Sequence, residues 1–233
     1  MGGPRKEFFQ YLMQAINKEY FEKGLQEYKK EDYVIAGFAI GLSILQNGKL
    51  PYFFTEERLT SVFGPRSEKP CIQELQLGLS EVGIYQIGRS LPTFLHLFRG
   101  GLQPLTVKRL TQIMRPVFKE EGTNARIFEN KLFEQFRKYI KEVAAGRRGP
   151  KLQLGTILQF FTGMDEEPML GYEIHPTIKF DPVPAPGKFT PTTHACINQL
   201  VLFRATPMIK LLPQEKLFEK FDYAFCNHYY RIA

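Results

Sequence analysis

Tryptophan is absent from this 233-residue chain, and cysteine occurs only three times, at Cys71, Cys196 and Cys226. Three cysteines exclude a disulfide framework in a chain this size and suit a reducing compartment, cytoplasmic or nuclear or both. No apolar run approaches the roughly 18 residues of a membrane-spanning helix, so no membrane association is expected. No secretory signal is visible. Met1-Gly2 hints at myristoylation, but position 6 is Lys6 rather than Ser or Thr, and the pattern fails. Like charges never run to five. The formal charge of +7 divides as +4 over residues 1–115 and +3 over the remainder. That spread describes a solvated surface, not the clustered, aromatic-lined groove of a nucleic-acid binder. No phosphate-binding glycine loop, paired-carboxylate signature or internal repeat is present. No cofactor is expected.

Phenylalanine, by contrast, is abundant at 21 residues, and 43% of the chain is apolar against 24% charged. A soluble globular protein with a Phe- and Leu-rich core follows. Residues 5–17 set Phe8, Phe9, Leu12, Met13 and Ile16 on one helical stripe. Residues 32–46 predict a second helix, laced with Ala36, Gly37, Ala39 and Gly41 and stopped by Asn47-Gly48. From 51 to 101 the prolines and glycines predict short helices and loops. Thr106 is a natural N-cap for a helix carrying Val107, Leu110 and Met114. Pro116 ends that pattern and marks a boundary between units 1–115 and 116–233. The strongest helix is 126–144, with Phe128, Leu132, Phe136, Ile140 and Val143 at helical spacing. A shorter helix over 152–161 follows, then strands at 174–180 and 195–203. Pro182, Pro184, Pro186 and Gly187 force a loop between those strands. A last helix over 214–225 bears Leu217, Phe218, Phe221 and Phe225.

Three short words carry the chemistry. They are Leu158-Gln159-Phe160-Phe161-Thr162-Gly163, Pro168-Met169-Leu170-Gly171-Tyr172, and Pro191-Thr192-Thr193-His194-Ala195-Cys196-Ile197-Asn198-Gln199-Leu200. In order and spacing they resemble the C-terminal lobe of HECT-type ubiquitin-protein ligases. Gly2-Gly3-Pro4-Arg5-Lys6-Glu7-Phe8-Phe9 and the helix from Tyr33 through Gly48 are similar to that family's N-lobe. Residues 105–124 are similar to its inter-lobe passage, and 62–100 match least. Within the family, a divergent vertebrate branch with a shortened N-lobe is most similar. The resemblance implies an α+β, bilobal fold: a mainly helical partial N-lobe over 1–115, whose family counterpart begins earlier, and a mixed C-lobe over 116–233. It also implies an enzyme. Cys196 would accept ubiquitin as a thioester from a charged ubiquitin-conjugating enzyme and pass it to a lysine of a protein substrate. The family's docking phenylalanine, four places from the end, corresponds to Tyr230, which would anchor and orient the catalytic lobe.

If 195–203 is extended, His194, Cys196 and Asn198 share one face, while Ala195, Ile197, Val201 and Phe203 point inward. A thiol set apart from the apolar face reads as a nucleophile rather than a core cysteine. Thioester-for-thioester exchange is nearly isoenergetic. A free cysteine, with a pKa of about 8.5, is already a few per cent thiolate near neutrality, so little acid-base help is needed. The second step differs, because lysine must lose a proton before it attacks. Asp222 and Glu219 are candidate carboxylates for that step. Asn198 is expected to organise the loop by hydrogen bonding, and His194 to fix the loop or stabilise the thiolate.

Other readings compete. His194-x-Cys196 and Cys226-x-His228 are possible zinc ligands, although structural zinc pairs usually have wider gaps. A cysteine hydrolase would need a distant histidine, His96 or His175. The family's threonine before the cysteine is Ala195 here, and the proline after the strand is replaced by Phe203. The matching of the region that docks the conjugating enzyme is weak, with Leu91 to Phe98 as an apolar docking run or a piece of core. These departures leave a second function open: a catalytically impaired HECT-derived module that binds ubiquitin or another protein.

Overall fold

A computed structural model describes residues 3–65, 67–98, 105–168 and 170–227. The fold is α+β. Contacts divide the chain into two compact units, one formed by 6–102 with 168–170, the other by 1–5, 103–167 and 171–233.

The first unit is helical. Its elements are α1 (Gly3–Ile16, from Lys6 onward), α2 (Asp32–Leu45), α3 (Glu56–Phe63), α4 (Pro70–Glu81) and α5 (Ile84–Ser90), with a 3-10 segment over Pro92–Phe98. The small residues of α2 serve the close approach expected of them. A Cβ on Gly37 would lie 2.4 Å from the Leu75 carbonyl oxygen, and one on Gly78 only 2.0 Å from that of Val34. Backbone therefore meets backbone where α2 crosses α4. Around that crossing pack Met13, Ile16, Phe21, Tyr33, Phe54 and Phe63. Tyr33 is fully buried, and its hydroxyl is paired: it donates to Tyr20 O and accepts from Gln26 N, both at 2.9 Å. The 91–98 run resolves as core. Phe98 is buried and Phe94, Leu95 and Leu97 pack against the cluster, while Leu91, Pro92, Thr93 and His96 are exposed.

The second unit holds α6 (Val107–Ile113), β1 (Arg115–Val117), α7 (Asn124–Ala144), α8 (Leu154–Thr162), β2 (Thr177–Pro182), β3 (Thr192–His194), β4 (Gln199–Arg204) and α9 (Gln214–Cys226). The sheet order is β1-β2-β4-β3; β1, β2 and β4 are mutually parallel and β3 is antiparallel to β4. Leu110, Ile113 and Met114 lie in the same core as Phe136 and Phe221. Among the described residues the division between units therefore falls between Phe98 and Leu105, ahead of Pro116. Pro116 sits inside β1, opposite Ile178. An edge strand accepts a residue with no N–H to give to the ladder.

Caps set the helix limits. Thr106 and Thr123 accept from Arg109 N (3.1 Å) and Arg126 N (3.2 Å), opening α6 and α7. Gly163, at φ +80°, closes α8 in the left-handed region. Along α7 the buried set is Glu129, Leu132, Phe136, Tyr139, Ile140 and Val143, and along α9 it is Leu217, Phe218, Phe221, Ala224 and Phe225. Strand β2 starts at Thr177, three residues later than the pattern predicts. The carbonyls ahead of it are used elsewhere: Ile174 O accepts from the Asn198 amide and Pro176 O from Arg115 N. Among the described residues no helix is long and apolar enough to cross a membrane.

The α2–α4 crossing leaves no room for a methyl group. Gly78→Ala should destabilise the protein by about 1–3 kcal/mol, the usual cost of overpacking, read from urea unfolding midpoints. A variant as stable as the parent would show that the helices separate freely.

Candidate functional site

Cys196 lies at the tip of a hairpin. Strands β3 and β4 pair Thr192 with Val201, Thr193 with Leu200 and His194 with Gln199. The four residues between them, Ala195 to Asn198, close as a 3-10 turn, in which Asn198 N donates to Ala195 O at 3.3 Å. Four-residue hairpin loops are commonly built this way. The turn ends on Asn198 in the left-handed conformation, φ 51° and ψ 43°, which asparagine tolerates better than most residues with a side chain.

This turn corrects the extended reading. Residues 195–198 are not strand, so strict alternation does not run through them. Ala195 is buried, Cys196 and Ile197 are exposed, and Asn198 is 3% exposed. His194 and Cys196 both face solvent, but Asn198 does not join them, and Ile197 does not point inward. Beyond the turn, Leu200 and Leu202 enter the core, where the alternation had placed Val201 and Phe203. Val201 is nonetheless buried, because β4 is an inner strand.

Asn198 ties the tip to the start of the sheet. Its side-chain amide donates to Ile174 O at 2.6 Å, and its carbonyl accepts from Thr177 N at 3.0 Å. Its Oδ1 is buried without a hydrogen bond. Thr193 Oγ1 donates to Gln199 O at 3.2 Å across the hairpin. The thiol therefore stands on a turn braced from two sides. It has no hydrogen-bond partner of its own among the described residues, and none links it to His194 or His175. The half-buried His175 bonds its own neighbourhood, with Nδ1 at 3.2 Å from Pro176 O. A nucleophile–base pair of the hydrolase kind is not assembled here.

The other two cysteines differ. Cys71 is completely buried at the start of α4. Its Sγ donates to Glu27 Oε1 at 2.9 Å, and its N–H donates to Glu27 Oε2 at 3.2 Å. Burial first, then the Glu27 carboxylate, pushes this thiol up to about 12. Cys226 is an exposed residue at the end of α9, yet partial burial of its sulfur, followed by the Asp222 charge, raises its thiol above the ordinary range.

Asp222 is not free for proton transfer. It accepts from Tyr139 Oη at 2.9 Å and from Arg148 Nε at 3.3 Å, and it holds a second, closer ion pair with the same guanidinium. Arg148 also reaches Glu215 (3.3 Å) and Glu142 (3.6 Å) and lies over the Phe218 ring. Burial and the Asp222 charge keep the Tyr139 phenol protonated far above its usual range. The cluster is a structural clamp between the 145–150 turn and α9. Sequence reading missed it, because nothing in the spacing of Tyr139, Arg148 and Asp222 marks them as neighbours. Glu219 is exposed on α9. Tyr230 and His228 lie outside the described residues.

No protein-family model matches this chain, and no curated protein matches it. The site therefore rests on its own geometry and on the three words of sequence around it.

Two outcomes follow from the thiols. At pH 7.5 iodoacetamide should label Cys196 in the native protein and leave Cys71 unlabelled until unfolding; peptide mass spectrometry reads both. Native labelling of Cys71 at the Cys196 rate would contradict the Glu27 contact. An unfolded thiol titrates at about 8.5, and burial with the Glu27 carboxylate pushes folded Cys71 up to about 12. Its stabilisation is thus fully present below about pH 8.5 and lost as pH rises towards 12. Cys71→Ser keeps a donor for Glu27 without that titration, so its melting temperature should fall less steeply between about pH 9 and 11.

Proposed function

We propose that this chain is a HECT-type ubiquitin-protein transferase, with units corresponding to a partial N-lobe and a catalytic C-lobe, acting in the cytoplasm or nucleus. The observation that carries the reading is the position of Cys196. A thiol within the family's cysteine word stands solvent-exposed and unpaired at the tip of a braced hairpin turn. Macromolecular partners can reach it there, while a core cysteine such as Cys71 is closed to them.

In the proposed reaction, the Cys196 thiolate attacks the carbonyl carbon of the thioester that joins ubiquitin to its conjugating enzyme. A new thioester forms at Cys196, and the conjugating enzyme's thiolate departs. A substrate lysine, deprotonated, then attacks the same carbonyl; an isopeptide bond forms and the Cys196 thiolate leaves. The first step exchanges like for like, so positioning within about 3–3.5 Å matters more than a general base. That need agrees with a thiol held by backbone turns and the Asn198–Ile174 bond rather than by a histidine. Asp222, committed to Arg148 and Tyr139, is withdrawn as the base for the second step.

Incubation with charged conjugating enzyme should yield a reductant-sensitive ubiquitin adduct on a non-reducing gel. Cys196→Ser should abolish it, while Cys71→Ser and Cys226→Ser keep it. If the folded parent forms no adduct yet binds ubiquitin, the impaired binding module is the better reading. Asn198→Gly loses the bond to Ile174 but keeps the left-handed backbone. Asn198→Ala loses both, at a further backbone cost of about 1–2 kcal/mol. Adduct formation should therefore slow in the order parent, Gly, Ala. Equal rates in all three would remove Asn198 from the positioning role.

A further inference from the structure

A second site lies in the α+β unit, separate in sequence and chemistry from the thiol. The C-terminal half of α7, the turn after it and the start of α9 line an open surface cavity of about 350 Å³. It is lined by Lys138, Lys141, Glu142, Ala145, Arg147 and Gln214. Lys138 and Lys141 are three residues apart and so share one face of the helix. Arg147 comes from the turn. These three cations are exposed, and among the described residues none forms an ion pair. The one carboxylate in the lining, Glu142, is engaged 3.6 Å from Arg148.

The backbone offers limited opposition to that sign. A helix C-terminus normally offers bare carbonyls, which repel anions. Here three of the last four are taken: Lys141 O accepts from Ala145 N, Val143 O from Gly146 N and Glu142 O from Arg147 N, each at 3.0 Å. Across the cavity, Gln214 opens the 13-residue α9, whose first turn has no side-chain cap. Its free N–H groups add positive potential. Ala145 and the lysine stems supply an apolar floor.

We propose that this cavity binds a small molecule bearing a phosphomonoester. Such a group carries close to two negative charges and three acceptor oxygens, which three convergent cations and an amide can share. The volume is that of a small-ligand pocket and leaves room for an organic body beside the phosphate. An extended polyanion would need a continuous basic stripe instead. The Arg148 clamp, whose guanidinium holds Asp222 and Glu215, fixes α9 and the turn against each other.

The test is a titration of the full chain with phenyl phosphate, followed by amide NMR, with phenyl sulfate as the singly charged comparison. Saturable shifts confined to 138–147 and 213–216, weaker for the sulfate, are expected. Lys138→Ala/Lys141→Ala and Arg147→Ala should each weaken binding roughly tenfold, the loss of charge-assisted contacts. Lys188→Ala/Lys210→Ala, which removes the same charge outside the lining, should change it by less than about twofold. Equal losses in the cavity and control variants, or shifts centred elsewhere, would overturn the site. Tighter binding of a ten-residue phosphoserine peptide than of phenyl phosphate would overturn the small-molecule assignment.

Discussion

The parallel pairing of β2 with β4 sets the geometry on which the thiol site depends. Six consecutive residues are in register, from Thr177 opposite Gln199 to Pro182 opposite Arg204. That register brings the residue before β4, Asn198, beside the loop before β2. The Ile174 and Asn198 carbonyls would otherwise lack partners at the sheet's edge. The Asn198 amide and Thr177 N–H satisfy them. Because the turn is held at its last residue, the preceding Cys196 has one defined place. The turn's left-handed final residue also ends the alternation of faces, so the thiol can face water while Leu200 and Leu202 enter the core.

The core that supports this sheet is aromatic and tightly interlocked. Phe136, Tyr139, Phe218, Phe221 and Phe225 form edge-on, tilted and stacked pairs with centroids 5.2 to 6.4 Å apart. Rings of this size remove large apolar areas from water and prefer these arrangements. Tyr139 brings a hydroxyl into that core, and a buried hydroxyl without a partner is costly. Asp222 provides the partner, and Arg148 offsets the charge of Asp222. One polar group in an aromatic core thus brings a carboxylate and a guanidinium with it. The same chain of compensation positions the 145–150 turn, and with it Arg147 beside Lys138 and Lys141. A second ion pair, between buried Glu129 and half-buried Arg204 at 3.5 Å, joins α7 to the end of β4, and Glu129 also accepts from Lys119 N at 2.8 Å.

Much of the helical framework was legible from periodicity. The stripes of 126–144 and 214–225 gave the buried faces of α7 and α9 nearly residue by residue, since each helix buries one continuous stripe against one core. Thr106 was legible as a cap because capping is a local interaction. The unit boundary was less so. Pro116 reads locally as a break, but in space it is an edge-strand residue whose missing donor costs nothing. The strand at 195–203 failed for a related reason: four residues of turn, each acceptable in an extended segment, fold back through a single positive φ at Asn198.

The sequence by itself determined most of the helices, the Phe-rich character of the cores and the neighbours that set Cys196 apart. All of these rest on interactions within a few residues, or on the bulk preference of apolar side chains for burial. Tertiary structure decided the rest: that Cys71 is closed off by Glu27, that Asp222 belongs to a clamp rather than to proton transfer, and that three cations meet around one cavity. Those outcomes depend on pairs 44 to 83 residues apart or on faces from different elements. Such pairings are fixed by helix packing and strand register, which no local pattern encodes.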